Sequence, residues 1–356
     1  MKIVVIGAEG LAGTSLMSLL AAHRPDIQVV AYDSDPESEP PVRQEEIKIE
    51  NLGQMLRAER PDALIDLAPE MDKEQSLKIC DDHDVSVINA TLCDGGLEAT
   101  ALRRYLDPKL SIVTRKWRRP HLMGCGANPG TVNALVAMMI ERAGGRVPTD
   151  ITLWEMDSTL PFKWNGEGFS TWSPKELFSE WSDESAWEVN GQTLHWPGGP
   201  PIDNLRTVSF PDGSVITGVL CQHEEVLRLG YRYNIPVRYV YAFAPDCQAA
   251  IIRNMREKYD LPLVRKMPNR VPDGGDRIGA IITFADGTIM RGHFEAHNQD
   301  AAIPDGSNAT SYLVACGLVA AIAMLPQANQ PRLWWPDEFS SRWVSSLNGL
   351  CGVTMD

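Results

Sequence analysis

Tryptophans and acidic residues are interleaved from residue 154 to residue 196, and this combination of side chains suits the binding of an amine. An indole face together with carboxylates can hold an ammonium ion in a dry pocket, where the cation–π contact contributes about 2 kcal/mol once the cation is desolvated. Trp172 opens a predicted helix, and Glu180 follows it by eight residues. For every other tryptophan, a place in the core or at an interface is the favoured interpretation. The residues are Trp154, Trp164, Trp172, Trp181, Trp187 and Trp196, with Glu155, Asp157, Glu167 and Glu180 between or beside them.

Asn128 and His223 are two further polar residues whose surroundings indicate chemistry. Asn128 lies in the segment 126–130, between a predicted strand and a predicted helix. It either caps that helix or directs its amide at a substrate or a nicotinamide in a cleft. His223 is flanked by acids at the end of a strand-like run, and an imidazole titrates near neutral pH, as a proton shuttle for an amine must. A structural role is the alternative for a lone histidine.

The segment 293–297 places His293, Glu295 and His297 on one face of a predicted strand. Such a set can ligate a metal, but two histidines and a carboxylate on one strand crowd a single ion. A structural role is therefore the favoured interpretation, and we predict no metal site. The sequence has no Ser-His-Asp, Walker or zinc-finger arrangement.

The first 33 residues follow the order strand, glycine turn, helix, strand and acid that a dinucleotide-binding βαβ unit requires. Gly7, Gly10 and Gly13 suit a tight turn, close approach of a pyrophosphate and close helix–strand packing. The pyrophosphate would lie at the positive end of the helix that begins near Gly10 and Leu11. Asp33 lies twenty residues beyond Gly13, where its carboxylate can bond ribose hydroxyls and repel a 2′-phosphate, so NAD is predicted over NADP. Because the spacing is Gly-x-x-Gly-x-x-Gly, an ordinary turn in another doubly wound protein is the alternative.

Composition restricts the class of protein. A chain of 356 residues, 44% hydrophobic and 22% charged, is typical of two globular domains. The net charge of −14 argues against nucleic acid and is compatible with a cationic substrate. Seven cysteines without a Cys-x-x-Cys pair indicate reduced thiols, and the amino terminus leaves no room for a signal peptide, so we predict a cytoplasmic protein. The apolar helix predicted from Leu313 to Leu325 is too short to span a bilayer, so no membrane partner is expected.

Strands and helices alternate through the first third of the chain, which predicts an α/β domain with a Rossmann-type doubly wound parallel sheet over residues 1–145. The predicted elements include a helix at 95–106 and a strand at 110–113. Ligands bind at the carboxyl ends of such strands, so the nicotinamide-side loops are predicted at Ala68-Pro69 and at Asn89-Ala90-Thr91.

The pattern changes after about residue 145, where strand-like runs meet the hairpin signals Pro211-Asp212-Gly213 and Ala285-Asp286-Gly287. We predict an α+β substrate-binding and catalytic domain over residues 146–300, with a mainly antiparallel sheet. Residues 301–356 are predicted to form a helix capped by Asn308, followed by a tail that packs back on the Rossmann domain.

Several of these motifs occur together, and in one order, along the chain. They are Gly126-Ala127-Asn128-Pro129-Gly130, Thr171-Trp172-Ser173 with Glu180 behind it, His223-Glu224, and Asn308-Ala309-Thr310-Ser311. In this they resemble the bacterial homospermidine synthase family of the saccharopine dehydrogenase-like group, which includes carboxynorspermidine dehydrogenase. The resemblance implies that Trp172 faces the amine by cation–π contact and that Asn128, Glu180 and His223 line an inner site, with Glu155 beside them.

Residues and resemblance together predict an NAD-dependent enzyme that acts on C–N bonds of di- or polyamines such as putrescine. NAD would take a hydride from the carbon that bears an amine, a second amine would add to the imine, ammonia would leave, and the hydride would return. Trp172 would stabilise the cationic imines. Glu180 and Glu155 would anchor the distal ammonium, and His223 would move protons at nitrogen. We expect a homodimer.

Two alternatives stay open at this point. A dehydrogenase that reduces a carboxy-polyamine or saccharopine-like Schiff base with NAD(P)H would need a basic residue for the substrate carboxylate, for which Arg206, Arg228, Arg232 and Arg238 are candidates. An NAD-binding regulatory protein would keep the unit from Gly7 to Asp33 but not a complete second site. The tryptophan, glutamate, histidine and asparagine of the second site argue against that alternative.

Overall fold

The computed structural model describes most of the chain. The predicted helix at 95–106, the predicted strand at 110–113, Trp187 and Trp196 lie outside the described residues. The described residues are 1–34, 42–69, 71–91, 115–183, 188–190, 193–195, 199–257 and 261–356.

The first sheet is parallel throughout the described residues, which confirms the predicted Rossmann-type fold. Its strands are β1 (Lys2–Ile6), β2 (Gln28–Asp33), β3 (Arg43–Gln44), β4 (Ala63–Asp66), β5 (Ser86–Asn89), β6 (His121–Leu122) and β15 (Leu333–Trp334). They lie in the order β15–β6–β5–β4–β1–β2–β3. The apolar run of Ile3, Val4 and Val5 is fully buried because such a sheet is covered on both faces.

The order of these strands reverses between β1 and β4, and this switch point is where doubly wound sheets bind ligands. Helices α1 (Leu11–His23), α2 (Ile49–Glu59) and α3 (Lys73–Asp82) follow β1, β3 and β4 along the chain. The Asp72 side chain caps α3 by accepting a hydrogen bond from the Gln75 N–H at 2.9 Å, so α3 begins directly after the loop that follows β4.

The second sheet is mixed but mainly antiparallel, as predicted. Its strands are β7 (Pro148–Asp157), β8 (Glu188–Asn190), β9 (Thr193–His195), β10 (Leu205–Ser209), β11 (Val215–Cys221), β12 (Pro236–Phe243), β13 (Gly275–Phe284), β14 (Ile289–His297) and β16 (Gly352–Met355). They lie in the order β10–β11–β12–β7–β13–β14–β16, with β8 between β12 and β9. Among the described pairs of this sheet, only β12 and β7 run parallel.

Both predicted hairpin turns form in this sheet. Gly213 joins β10 to β11 and Gly287 joins β13 to β14, each with a φ of +81° that favours glycine. The remaining helices are α4 (Thr131–Arg142), α5 (Pro174–Phe178) with a π-helical turn at Ser179–Asp183, α6 (Glu224–Tyr233), α7 (Pro245–Glu257), α8 (Ala309–Met324) and α9 (Ser341–Ser346).

Helix α8 is the central core helix and packs against α1, β5, β13 and β14. Asn308 caps it by accepting a hydrogen bond from the Ser311 N–H at 3.0 Å, as predicted. The apolar helical stretch Ala309–Gln327 is 19 residues long, so the argument that it is too short to cross a bilayer was wrong. However, 78% of its most apolar 18-residue stretch is buried inside the protein, as in the core helix of a globular domain.

The chain after α8 contributes to both sheets. Strand β15 pairs with β6 in the first sheet, and β16 pairs with β14 in the second. The domain boundaries at 145 and 300 stay predictions.

Candidate active site

A cavity of about 300 Å³ opens beyond the carboxyl ends of β4 and β5. It lies at the edge of the first sheet where a doubly wound fold binds its ligands, and residues from the second half of the chain close it. Four predicted site residues, Asn128, Trp172, Glu180 and His223, line it together. The other lining residues are Ala12, Asp66, Leu67, Ala68, Pro69, Lys73, Ala90, Thr91, Gly126, Ala127, Pro129, Glu176, Glu224 and Val314.

Trp172 is half-buried and lines the cavity directly before α5. The Ser173 side chain caps α5 by accepting a hydrogen bond from the Glu176 N–H, and Pro174 begins the helix. The indole N–H of Trp172 donates to the Tyr241 hydroxyl at 3.2 Å, which fixes the plane of the ring. By contrast, Trp181 is fully buried against Tyr241 and packs in the core.

Asn128 does not cap α4, because the residue at that position is Gly130, whose N–H donates to the Asn133 side chain. The Asn128 side-chain Nδ2 group instead donates to Glu155 at 2.6 Å and to the Tyr239 hydroxyl at 2.7 Å. An amide nitrogen has two hydrogens, and these two partners engage both. The carbonyl oxygen of Asn128 is therefore the amide atom that can accept a hydrogen bond from a ligand in the cavity.

Glu155 lies one layer behind Asn128 and does not line the cavity. It is 3% exposed, and it accepts hydrogen bonds from Asn128 and from Tyr239, the latter at 2.6 Å. Burial raises the pKa of Glu155 to about 7, while these hydrogen bonds oppose the rise. We expected Glu155 to anchor an ammonium group of the substrate, but it does not reach the cavity. Its hydrogen bond to Asn128 lets it act on a ligand only through that residue.

His223 lies between two carboxyl groups at the amino terminus of α6. Its Nδ1 bonds the Glu225 carboxylate, and its Nε2 lies 3.9 Å from Glu180 Oε1. Burial lowers the pKa of His223, but Glu225 and Glu180 outweigh burial and raise it to about 10. The ring is therefore an imidazolium at neutral pH, whereas the sequence had indicated titration near neutral pH. Glu225 is one of the acids that flank the histidine in the sequence, but its bond to Nδ1 is evident only from the structure.

Glu180 is a buried carboxyl group in the cavity wall. It is 7% exposed, and its Oε2 has no hydrogen-bond partner among the described residues. Burial raises the pKa of Glu180 to about 8, and the His223 cation opposes the rise. An unpartnered carboxylate oxygen in a buried wall favours a bound cation that supplies the missing hydrogen bond.

Two further acids, Glu176 and Glu224, line the same cavity. The Thr91 hydroxyl donates to Glu224 Oε1 at 2.6 Å, so a residue of the predicted nicotinamide-side loop contacts the amino terminus of α6. This contact joins the first sheet to the histidine-bearing helix. Because Glu176, Glu180 and Glu224 all line it, the cavity wall is acidic on the side away from the first sheet.

The basic residues near the cavity are already paired. Among the described lining residues, Lys73 and His223 carry the basic side chains. The Lys73 ammonium donates to Asp66 at 3.0 Å and to the Ala68 carbonyl at 2.6 Å, and it is buried. None of the four arginines considered for a substrate carboxylate lines the cavity. Arg228 and Arg232 pair with Asp337, Arg238 pairs with Asp150, and Arg206 lines a different cavity, on the second sheet.

A second cavity, of about 670 Å³, lies over the predicted dinucleotide unit and shares Leu67, Ala68 and Pro69 with the first. Gly7, Gly10 and Asp33 line it. Gly7 has a φ of +81°, and a Cβ there would come within 3.0 Å of the Leu67 backbone. A Cβ at Gly13 would come within 2.2 Å of the Gly7 carbonyl, so that glycine allows α1 to approach the turn.

The amino terminus of α1 fits a phosphate. Its cap residue, Gly10, makes no side-chain hydrogen bond to the first turn, and a Cβ at Gly10 would meet only one atom, at 3.4 Å. The Asp33 carboxylate accepts a hydrogen bond from the Glu9 N–H at 2.8 Å, which holds it at the end of β2. The amino terminus of α1 can donate hydrogen bonds to a pyrophosphate, and the carboxylate at the end of β2 can accept them from ribose hydroxyls.

Three predicted cofactor residues, Leu11, Gly13 and Asn89, lie outside both cavities. The Asn89 side chain is buried and accepts a hydrogen bond from the Thr91 N–H at 3.1 Å, so it shapes the loop rather than lining it. Leu11 begins α1, and its carbonyl accepts a hydrogen bond from the Ser307 hydroxyl at 2.9 Å. Among the loop residues, Ala68, Pro69 and Thr91 line the first cavity.

The histidine-rich segment of β14 makes other contacts. Glu295 pairs with Arg277 at 2.8 Å, and the His293 ring lies 5.9 Å from the Trp154 ring. Within the described part of the chain, no group of three histidine, cysteine or acidic side chains is arranged to hold a metal ion.

Comparison with known proteins agrees with this architecture. Residues 3–119 match the family model of the saccharopine dehydrogenase NADP binding domain. No curated protein matches the sequence at a significant level.

Two solved structures share the fold over the whole chain. The first is homospermidine synthase from Legionella pneumophila in complex with NAD, with a TM-score of 0.82 and 17% identity over 100% of this chain and 91% of that one. The second is saccharopine dehydrogenase (L-Glu forming) from Saccharomyces cerevisiae, with a TM-score of 0.66 and 12% identity over 100% of this chain and 99% of that one.

The amino-terminal part of the chain thus matches a nicotinamide dinucleotide-binding domain, which confirms the predicted class of cofactor. Over its full length the chain has the fold of these two solved structures.

Proposed function

We propose that this protein is an NAD-dependent enzyme of the homospermidine synthase type, which oxidises a di- or polyamine such as putrescine, exchanges the amine and reduces the product imine. The observation that carries the proposal is the cavity wall. Trp172 offers an indole face, while Glu176, Glu180 and Glu224 offer carboxyl groups in the same cavity. A ligand with several ammonium groups matches both features.

The absence of an unpaired base from the described cavity wall weighs against a carboxylated substrate. A carboxylate in this cavity would face three glutamates, while the two cations of the described wall already bond carboxylates, Lys73 to Asp66 and His223 to Glu225. Burying an anion among anions without a cationic partner is strongly unfavourable. A saccharopine-like or carboxy-polyamine substrate is therefore the second candidate, supported by the family match of residues 3–119.

The cofactor would be held by the residues of the second cavity. Gly7 and Gly10 would face the pyrophosphate, Asp33 the ribose, and Ala68 and Pro69 the nicotinamide side, near Asn128. When bound, NAD supplies a hydride acceptor that becomes a hydride donor later in the same turnover. We propose NAD rather than NADP because Asp33 would repel a 2′-phosphate.

The chain's own residues would manage charge and protons. An ammonium must lose a proton before its carbon can lose a hydride, and Glu180 can accept that proton because its pKa is raised to about 8 by burial. Trp172 would lower the energy of the cationic imines, whose positive charge develops as the hydride leaves the neutral amine. His223, held as an imidazolium by Glu225, would donate a proton to the departing nitrogen.

Incubation with NAD and putrescine tests the proposal. A secondary polyamine and ammonia, detected by mass spectrometry, with no net NADH by absorbance, would support it. Net oxidation or reduction only with carboxylated imines would support the second candidate. Tight NAD binding without turnover of either substrate would support a regulatory protein. A homodimer and a cytoplasmic location stay predictions.

A further inference from the structure

Three carboxyl groups meet on the inner face of the second sheet, beneath Asn128. Asp276 on β13 is directly opposite Asp157 on β7, and Glu155 lies two residues earlier on the same face of β7. All three are at most 3% exposed. Like charges directly opposite one another on neighbouring strands are destabilising, and in a dry core they cannot all be ionised.

The two opposed aspartates differ in their hydrogen-bond donors. Asp157 accepts from the Thr159 N–H at 2.8 Å, from the Thr171 hydroxyl at 2.5 Å and from the Thr310 hydroxyl at 3.4 Å. No donor among the described residues meets either carboxyl oxygen of Asp276 with the geometry of a standard hydrogen bond. Donors stabilise the ionised form of a carboxyl group, so Asp157 is the member of the pair that is built to carry a charge.

Glu155 is the diagonal neighbour of Asp276 on the same face of the sheet, where long side chains can meet, and the Thr310 hydroxyl also acts on Asp276. Two carboxyl groups in contact can bond only when one of them carries a proton, since a carboxylate is purely an acceptor. No lysine, arginine or histidine of the described residues forms an ion pair with any of the three acids. The His223 cation acts on Glu155 alone among the three, so a proton is the positive charge available to Asp276.

We propose that Asp276 is kept as a neutral carboxylic acid, with its proton on the contact to Glu155, and that it is a positioning residue for Asn128. Glu155 then accepts from Asp276, Tyr239 and Asn128. These three donors keep Glu155 an acceptor. Because Glu155 accepts from Nδ2 of Asn128, the carbonyl oxygen of Asn128 is the amide atom left for a ligand in the cavity.

The electrostatic surroundings agree with this assignment. Burial raises the pKa of Asp276 well above its usual range, and the nearby Glu155 and Asp157 raise it further. Beyond the two acids of β7, the groups around Asp276 are the phenol of Tyr241 on β12 and the hydroxyl of Thr310 on α8. None of these groups is cationic.

The proton can be detected in the full-length protein without cofactor or substrate. The infrared spectrum of the wild-type protein at neutral pH should contain a carboxylic acid carbonyl band that shifts in D2O and is missing from Asp276→Asn. The amide of this variant keeps a hydrogen-bond donor, so its melting temperature should stay close to the wild-type value. Asp157→Asn is the matched control: it places an amide against three donors and should lower the melting temperature.

The turnover number of Asp276 variants supplies a second measurement, whose interpretation rests on the proposed function. Asp276→Asn should keep its kcat within about threefold of wild type, while Asp276→Ala, which leaves Glu155 short of a donor, should lose about tenfold or more. A missing infrared difference, or an Asn variant as impaired as the Ala variant, would overturn the proposal. An intact band in a protein that does not act on amines would overturn only the proposed function.

Discussion

Glu180 Oε1 lies 3.9 Å from His223 Nε2, while Glu225 bonds the other ring nitrogen. The imidazolium thus lies between a carboxyl group that lines the cavity and one that does not. Because burial raises the pKa of Glu180 to about 8, this pair can change its net charge close to neutral pH. A cationic ligand would favour the ionised form of Glu180, so binding and proton release should be coupled.

The affinity for putrescine should rise with pH up to about pH 8, because the fraction of Glu180 carboxylate rises with pH toward its raised pKa. Putrescine stays doubly protonated over this range, since alkylammonium groups titrate near pH 10. Calorimetry at several pH values without cofactor measures the slope. Glu180→Gln should bind weakly and with little pH dependence. Glu176→Gln, in the same cavity but half-buried, should weaken binding and keep the slope. An unchanged slope in Glu180→Gln would contradict the assignment.

Replacement of Trp172 should reduce turnover more than it reduces stability. Trp172→Phe keeps a ring of weaker quadrupole but loses the hydrogen bond to Tyr241, and Trp172→Ala removes the ring. Loss of a cation–π contact of about 2 kcal/mol lowers the rate roughly thirtyfold, so Phe should be intermediate and Ala nearly inactive. Both should bind NAD normally. Trp181→Phe, a core change, is the control in which activity should follow stability. Full activity in Trp172→Ala would assign that residue to packing.

Removal of His223 should lower kcat and leave NAD affinity nearly unchanged, since the dinucleotide residues lie in the other cavity. Glu225→Gln tests the charge on the ring. It removes the carboxylate bonded to Nδ1, so the pKa of His223 should fall from about 10, and the limb of the pH–rate profile that reports loss of the His223 proton should move to lower pH. A profile that stays the same in both variants would remove His223 from the mechanism.

Cofactor choice should depend on Asp33. Asp33→Ala should weaken NAD binding and narrow its advantage over NADP, because the variant no longer bonds the ribose or repels a 2′-phosphate. Fluorescence titration of both cofactors measures the ratio. Asp72→Ala is a suitable control, since Asp72 lines the same cavity but caps α3. Tighter binding of NADP than of NAD by the wild-type protein would contradict the proposal.

The dinucleotide unit could be predicted because its chemistry is local. The glycine turn, α1 and Asp33 are contiguous, and their spacing alone determines that they meet at one end of the sheet. Trp172, Glu180, His223 and Asn128 are far apart in sequence, and it was the resemblance to a family that grouped them. The structure places all four around one cavity.

The layer behind the cavity could not be predicted from the sequence. Asp276 and Asp157 face each other only because β13 pairs with β7 in one register, and a shift of one residue would separate them. The charge of His223 likewise depends on Glu225, whose nearness follows from the turn into α6. Patterns of residue types reveal which groups are present, whereas burial and register determine their protonation.

The position of β15 restricts the order in which the protein can fold during synthesis. The first sheet lacks this outer strand until residue 334 has left the ribosome, and by then nearly all of the second sheet has been made. Until that moment the β6 edge has no neighbour on that side and can pair with another chain. During synthesis the nucleotide-binding sheet therefore cannot be completed before the carboxyl-terminal segment is made, and truncation before residue 333 would leave β6 without this neighbour.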